Sequence, residues 1–268
     1  MGPRNAVSYQ VVFFLTSVLC FTASPLGAQW LNYRAPGVPR TATGQVDLSA
    51  PTPRLPDSKP DLSGVWESEL GYFTNLAKDL KPDEVVMLPW AKTLQAEREG
   101  KDHQDDPMAR CMPPGVPRIS MTANSMPHPF KIVQARGLVL LLYETSANST
   151  FRQVYMDGRP LPKDPQPTWL GYSIGRWDGD TLVVDSTGFN GRSWVDTAKG
   201  HPQTESAHVT ERFTRRDIGH LEIDITIDDP GAYAKPWRAK VPVHLVPDTD
   251  LIETFCENEK DQAHKGEK

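Results

Sequence analysis

Ser173-Ile174-Gly175-Arg176-Trp177 runs through Asp178-Gly179-Asp180 into Thr181-Leu182-Val183-Val184-Asp185-Ser186. Two strand-forming segments around an Asp-Gly turn predict a β-hairpin. Downstream, His208-Val209-Thr210-Glu211-Arg212-Phe213-Thr214-Arg215 turns at Asp217-Ile218-Gly219 into Leu221-Glu222-Ile223-Asp224-Ile225-Thr226-Ile227. There Leu221, Ile223, Ile225 and Ile227 share one face of a strand, with Glu222, Asp224 and Thr226 on the other. Upstream, Lys131-Ile132-Val133-Gln134 and Leu138 to Glu144 are separated by Ala135-Arg136-Gly137, and Phe151 to Met156 ends at Asp157-Gly158. Trp237 to Leu245 and Leu251 to Cys256 complete eight or nine expected strands. A meander with such short turns closes most naturally as a mainly β, antiparallel up-and-down barrel, which removes exposed edges; a sandwich is the alternative.

Composition agrees. The 268 residues include 25 prolines and 19 glycines, which argues against a helical bundle because an interior proline removes a helix hydrogen bond. A net charge of −5 argues against nucleic acid or an anionic membrane as the main partner. One helix is expected, from Pro89 through Ala91, Leu94 and Ala96 to Glu99, with proline opening it and Gly100 ending it. The organisation read from the chain is a leader over 1–28 and a proline-rich extended arm over 29–60. A single barrel domain over 61–260 follows, with a helical insertion at about 76–100 and a disordered tail over 261–268.

The leader is a Sec-type signal peptide: Arg4, then the apolar run Val11 to Phe21, then Pro25-Leu26-Gly27-Ala28 as the cleavage site. It implies an exported, periplasmic or secreted protein. No other segment is apolar for long enough to span a membrane. With Cys20 removed, Cys111 and Cys256 are an even pair in an oxidising compartment, and the simplest reading is a disulfide. A reactive thiol served by a nearby histidine is the alternative.

Asp61-Leu62-Ser63-Gly64-Val65-Trp66 resembles the Gly-x-Trp opening of lipocalins and lipocalin-like barrels. That resemblance implies a tryptophan closing the barrel floor, often against an arginine near the last strand. The chain departs from it in a long insertion after the first strand and in lacking a later Thr-Asp-Tyr-type motif. Pro60 to Trp66, Cys111-Met112-Pro113-Pro114-Gly115-Val116-Pro117-Arg118 and Asp157-Gly158-Arg159-Pro160-Leu161-Pro162 are similar to segments of a large family of exported acidobacterial-type proteins. Gly175 to Asp185, Gly188-Phe189-Asn190 and Thr210-Glu211-Arg212-Phe213 continue that resemblance. It implies export and brings no activity with it.

Chemistry-bearing residues concentrate between Trp194 and Arg212. Asp196, His201, Glu205, His208 and Glu211 are the candidate catalytic residues, since imidazole and carboxylate groups exchange protons near neutral pH. On one helical face His201, Glu205 and His208 would also suit a metal, but Pro202 and the β-branched run after His208 oppose a helix there, and no metal or cofactor is assigned. If Val209, Glu211 and Phe213 face inward, Glu211 is a carboxylate among apolar side chains and needs a cation, with Arg152 and Arg176 as candidates. In the opposite register His208 and Arg212 face inward instead. Trp194, Arg152, Arg159, Trp177 and Tyr155 are the candidate ligand-binding residues, aromatics for stacking and guanidinium for an anionic group. Asp178-Gly179-Asp180 lacks the ligand spacing of a calcium loop and reads as a turn.

Three functions follow as expectations. The first is an exported barrel binding a small hydrophobic or aromatic molecule. The second is a cofactor-free enzyme (hydrolase, lyase, isomerase or cyclase) using the polar cluster in the barrel mouth. The third is an accessory protein whose arm, residues 29–60, docks on a partner or a second copy.

Overall fold

The structure, a computed structural model, describes residues 33–256 apart from 36, 70, 103, 122–128 and 146–149. The leader, the first residues of the arm and the tail read from 261 onward lie outside the described residues. Nine strands form one closed barrel in chain order. They are β1 (Gly64–Ser68), β2 (Phe130–Ala135), β3 (Leu138–Tyr143), β4 (Thr150–Tyr155), β5 (Tyr172–Asp178), β6 (Thr181–Thr187), β7 (His208–Arg215), β8 (His220–Asp228) and β9 (Trp237–Leu245). The helix α1 (Pro89–Gly100) lies in the long insertion between β1 and β2, and the rest of the stretch from residue 71 to 88 is turns rather than helix.

Closure is made by β1, which pairs with β2 through Trp66↔Phe130 and with β9 through Trp66↔Leu245. A ring of nine strands cannot alternate direction all the way round, so one neighbouring pair must run parallel. That pair is β4 with β5, joined through Val154↔Ser173 and Tyr155↔Ile174. The connection between them carries Pro160, Pro162, Pro165 and Pro167, which cannot donate to a ladder. It returns the chain to the other end of the barrel before β5 begins. The up-and-down expectation is therefore corrected at this one seam.

A second correction concerns Leu251 to Cys256, which has no regular structure. Once β9 is bonded to both β8 and β1, no free edge remains for another strand. Cys256 nonetheless reaches Cys111, and the two form a disulfide across a sequence separation of 145 residues.

The inward faces follow the alternation read from the sequence. Val209, Glu211 and Phe213 of β7 and Leu221, Ile223, Ile225 and Ile227 of β8 are buried, facing Val139, Leu141, Ile132, Phe130 and Trp66 of the other wall. Removing so many apolar side chains from water supplies the main driving force, at roughly 1.5–3 kcal/mol for each large one.

One end of the barrel, the floor, holds Gly64, Tyr155, the 178–181 turn, Arg215 and Leu245. Trp66 donates its indole N–H to Leu62 O at 2.9 Å, and the Arg215 guanidinium lies over its ring at 4.8 Å. This is the tryptophan–arginine closure that the lipocalin resemblance implied, although the arginine ends β7 rather than lying near the last strand. Gly64 must be glycine: its φ is +146°, and a Cβ would stand 2.7 Å from the Leu245 side chain. The arm covers this floor. Ile218 and Gly219 donate backbone N–H groups to Ala50 O and Leu48 O, and Arg54 pairs with Asp180.

Candidate functional site

The mouth is the opposite end, and three segments cover it. Residues 86–88 pair with 232–234, Leu88 N–H donating to Ala232 O and Ala234 N–H to Val86 O. The β6–β7 connection lies against the 73–76 turn: Thr197 N–H donates to Phe73 O, and Ala198 N–H to Thr74 O. Asp229 ties β8 to the same connection by accepting from Thr204 N–H at 2.7 Å. Asp106 and Arg118 form a buried ion pair at 2.5 Å, with Thr197 donating to the same carboxylate.

Within this cover stands a carboxylate–imidazole pair. Asp196 is wholly buried and accepts from Leu76 N–H at 3.0 Å and His201 N–H at 3.2 Å. His201 Nδ1 lies 2.6 Å from Asp196 Oδ2. That contact places the Nδ1 proton on the aspartate side and leaves Nε2 as the lone-pair nitrogen of the neutral ring. No hydrogen-bond partner is found for Nε2 among the described residues. The ring packs against Trp237 at 5.8 Å between centroids, and Trp237 packs edge-on against Tyr233. Tyr233 donates to Pro202 O at 2.8 Å, and burial pushes its phenol well above the usual value. Arg98 of α1 donates to Gly200 O at 2.7 Å and stacks over Trp194 at 4.3 Å; burial lowers its guanidinium to about 10.

His201 lines a cleft of about 610 Å³ outside the barrel wall, under residues 75–87 and α1. Ala77, Leu80, Val85, Val86 and Met87 form its apolar side. Lys81, Lys92 and Lys199 supply cations, and Asp83 and Glu99 supply anions, with Lys199 bonded to Glu99 at 2.7 Å. The volume lies within the roughly 300–1,000 Å³ typical of small-molecule sites.

The sequence candidates separate accordingly. Of the five candidate catalytic residues, Asp196 and His201 are brought together. Glu211 faces inward, as the Val209–Glu211–Phe213 register requires, and its Oε2 lies 2.5 Å from Arg152 Nη2. Arg152 also donates to Ser173 Oγ at 2.8 Å and Ser186 Oγ at 2.6 Å. Burial would lower the Arg152 guanidinium, but the Glu211 and Tyr143 oxygens outweigh it and raise it. This ion pair is a strut inside the barrel and contributes nothing to the cleft wall. Arg176, the other candidate partner for Glu211, pairs with Asp185 on the outside instead. His208 also faces outward, 3.1 Å from Asp185, so the inverted register does not occur. Glu205 is exposed in a different cleft, lined by residues 161–167 and 187–189. His201, Glu205 and His208 thus point to three places, and the metal-ligand alternative fails on geometry.

Trp194 is buried beneath Arg98. Arg152 is taken up by the internal pair, and Arg159, Tyr155 and Trp177 lie toward the floor: Arg159 pairs with Asp157 and stacks on Tyr155 at 3.9 Å, and Lys59 of the arm reaches over Trp177 at 5.8 Å. Sequence reasoning missed Asn75, Lys81, Lys92, Arg98 and Lys199. Asn75, Lys81 and Lys199 belong to irregular turns and Lys92 to the solvent side of a helix, where no periodicity singles a residue out, and Arg98 turns inward over Trp194 as a charged residue that a hydrophobic pattern does not flag.

No family model matches the chain, and no curated protein matches it in sequence. Among solved structures the chain is similar to the wild-type fluorescent protein UnaG, at 12% identity and a TM-score of 0.33, over 69% of this chain and 97% of that one. The barrel itself is established by the strand pairing of this chain.

Proposed function

We propose that this is an exported β-barrel protein that binds a small amphipathic molecule, and that the binding site is the mouth cleft lined by His201. The observation that carries this reading is a cleft of ligand size with an apolar side, several cations and one buried, oriented imidazole at its wall. An apolar body would lie against Leu80, Val85 and Met87, and a carboxylate or similar anionic head toward Lys81 and Lys92, beside the His201 ring. This moves the ligand from the barrel interior, where aromatic residues had suggested it, to the mouth. Export is part of the proposal, supported by the leader motif and by a disulfide of the kind that persists in oxidising compartments.

Octanoate is a suitable probe, titrated by calorimetry into the protein and its variants. Binding should be weakened in His201→Gln, which alters the cleft wall, and in Lys92→Ala, an exposed change that removes a cation. No binding to the parent protein, or equal binding to all three, would overturn the reading.

A further inference from the structure

We infer that the mouth cleft also performs chemistry: His201, positioned by Asp196, is a general base that activates water against the carbonyl of a small ester or lactone with an apolar acyl part. The inference rests on the binding reading above and adds a reaction to it.

Three features carry it. The first is the asymmetry of the imidazole. Nδ1 is committed to a wholly buried carboxylate that two backbone N–H groups fix in place, while Nε2 has no partner among the described residues and His201 lines the cleft. A ring serving only to tie two loops together gains nothing from that arrangement, whereas a base needs one nitrogen anchored and the other open. The second is the neighbouring donor. Asn75 precedes Leu76, whose N–H holds Asp196, and it lines the same cleft. Its Oδ1 accepts from Ala77 N–H, which leaves the side-chain NH₂ to donate to a developing oxyanion, assisted by Lys81 and Lys92. The third is the match between product and site: the acid released is the amphipathic anion that the cleft is built to hold.

The step balances without a further reagent. Nε2 takes a proton from water as its oxygen bonds to the acyl carbon, and the carbonyl oxygen becomes the oxyanion facing Asn75. Collapse breaks the bond to the alkoxy oxygen, which takes the proton back from Nε2. One ester and one water give one acid and one alcohol, and Asp196 stays a carboxylate throughout.

Initial rates of p-nitrophenyl ester hydrolysis, with acyl chains of two to eight carbons, and of γ-octalactone opening test this on the full chain. The parent should show saturable turnover, and His201→Ala should lose it by about a hundredfold or more. Added imidazole should restore part of the His201→Ala rate, which a merely structural histidine would not allow. Asp196→Asn should lower kcat with little change in KM, and His208→Gln and His220→Gln, both on the outer surface, should match the parent. Parent rates no higher than those of His201→Ala on every substrate would overturn the inference. If octanoate still binds in that case, the binding reading stands and only the chemistry falls; if octanoate fails too, both fall.

Discussion

The two ends of the barrel use polar groups in opposite ways. At the floor, Arg215 spends its donors on backbone carbonyls: Nε on Asp217, Nη1 on Asp61 and Ser63, and Nη2 on Ile218. Its face covers Trp66, and the arm packs over the rest. At the mouth, Trp237 Nε1, Ser193 Oγ and Gln203 Oε1 are buried without hydrogen-bond partners among the described residues, and His201 Nε2 is left open there too. Buried polar groups are normally satisfied because an unmade hydrogen bond costs about 1–3 kcal/mol. The finished end is therefore the structural one, and unspent hydrogen-bonding capacity marks the end where we place a ligand.

Between the ends lies the Arg152–Glu211 strut, where the largest effect is expected. Glu211→Ala leaves a buried guanidinium without its counter-charge and should cost about 3–5 kcal/mol by urea unfolding. Arg152→Met combined with Glu211→Leu should recover most of that. A single substitution as mild as the double one would show that the pair holds nothing.

The disulfide comes next. It fastens the chain beyond β9 to the 106–121 segment that braces the mouth through Asp106 and Arg118. Cys111→Ser with Cys256→Ser should cost about 2–4 kcal/mol. Hydrogen exchange should rise around residues 106–121 and leave β7 and β8 unchanged, while loosening at the floor would break the division between the ends.

This strut also shows how much was legible in the sequence. An inward carboxylate between Val209 and Phe213 needs a cation, so periodicity pointed to Arg152 or Arg176 as the partner of Glu211, and the barrel geometry selects Arg152. The hairpins were readable for similar local reasons, whereas the polar cluster was visible without showing that Asp196 and His201 pair within it. The parallel seam was not, because it follows from the number of strands in a closed ring rather than from any segment. Nor were Asn75 and the lysines, since the cleft they line forms where the 75–87 turns, α1 and the chain at 199–201 meet, and no single segment's period marks that meeting.

Acid should act on the wall and the floor. Burial would raise the Asp185 carboxyl, but hydrogen bonds from Thr210 and Arg176 outweigh it and hold it below 3.8. Arg40 and the Ala35 N–H lower Asp248, and for Asp250 the bonds from Lys131 and Leu251 N–H overcome the effect of burial. Groups with depressed folded pKa values stabilise the fold above their unfolded values and lose that contribution as pH falls through the folded ones. Stability should thus decline as pH drops below about 4, with exchange rising at residues 33–40, which Asp248 tethers. A constant stability from pH 6 to pH 3 would contradict this. The smallest effect belongs to Arg54→Ala, which removes an exposed, solvent-screened pair with Asp180 and should leave the urea unfolding midpoint unchanged. A lowered midpoint would mean that the arm is more deeply part of the fold than its packing implies.

The most direct measurement is a ¹H–¹⁵N NMR titration of the protein with octanoate. The account predicts shifts confined to the mouth cleft, centred on Val86, Met87, Lys92 and His201, with the floor around Tyr33, Val65 and Leu245 unmoved. Shifts at the floor, or none at His201, would contradict it.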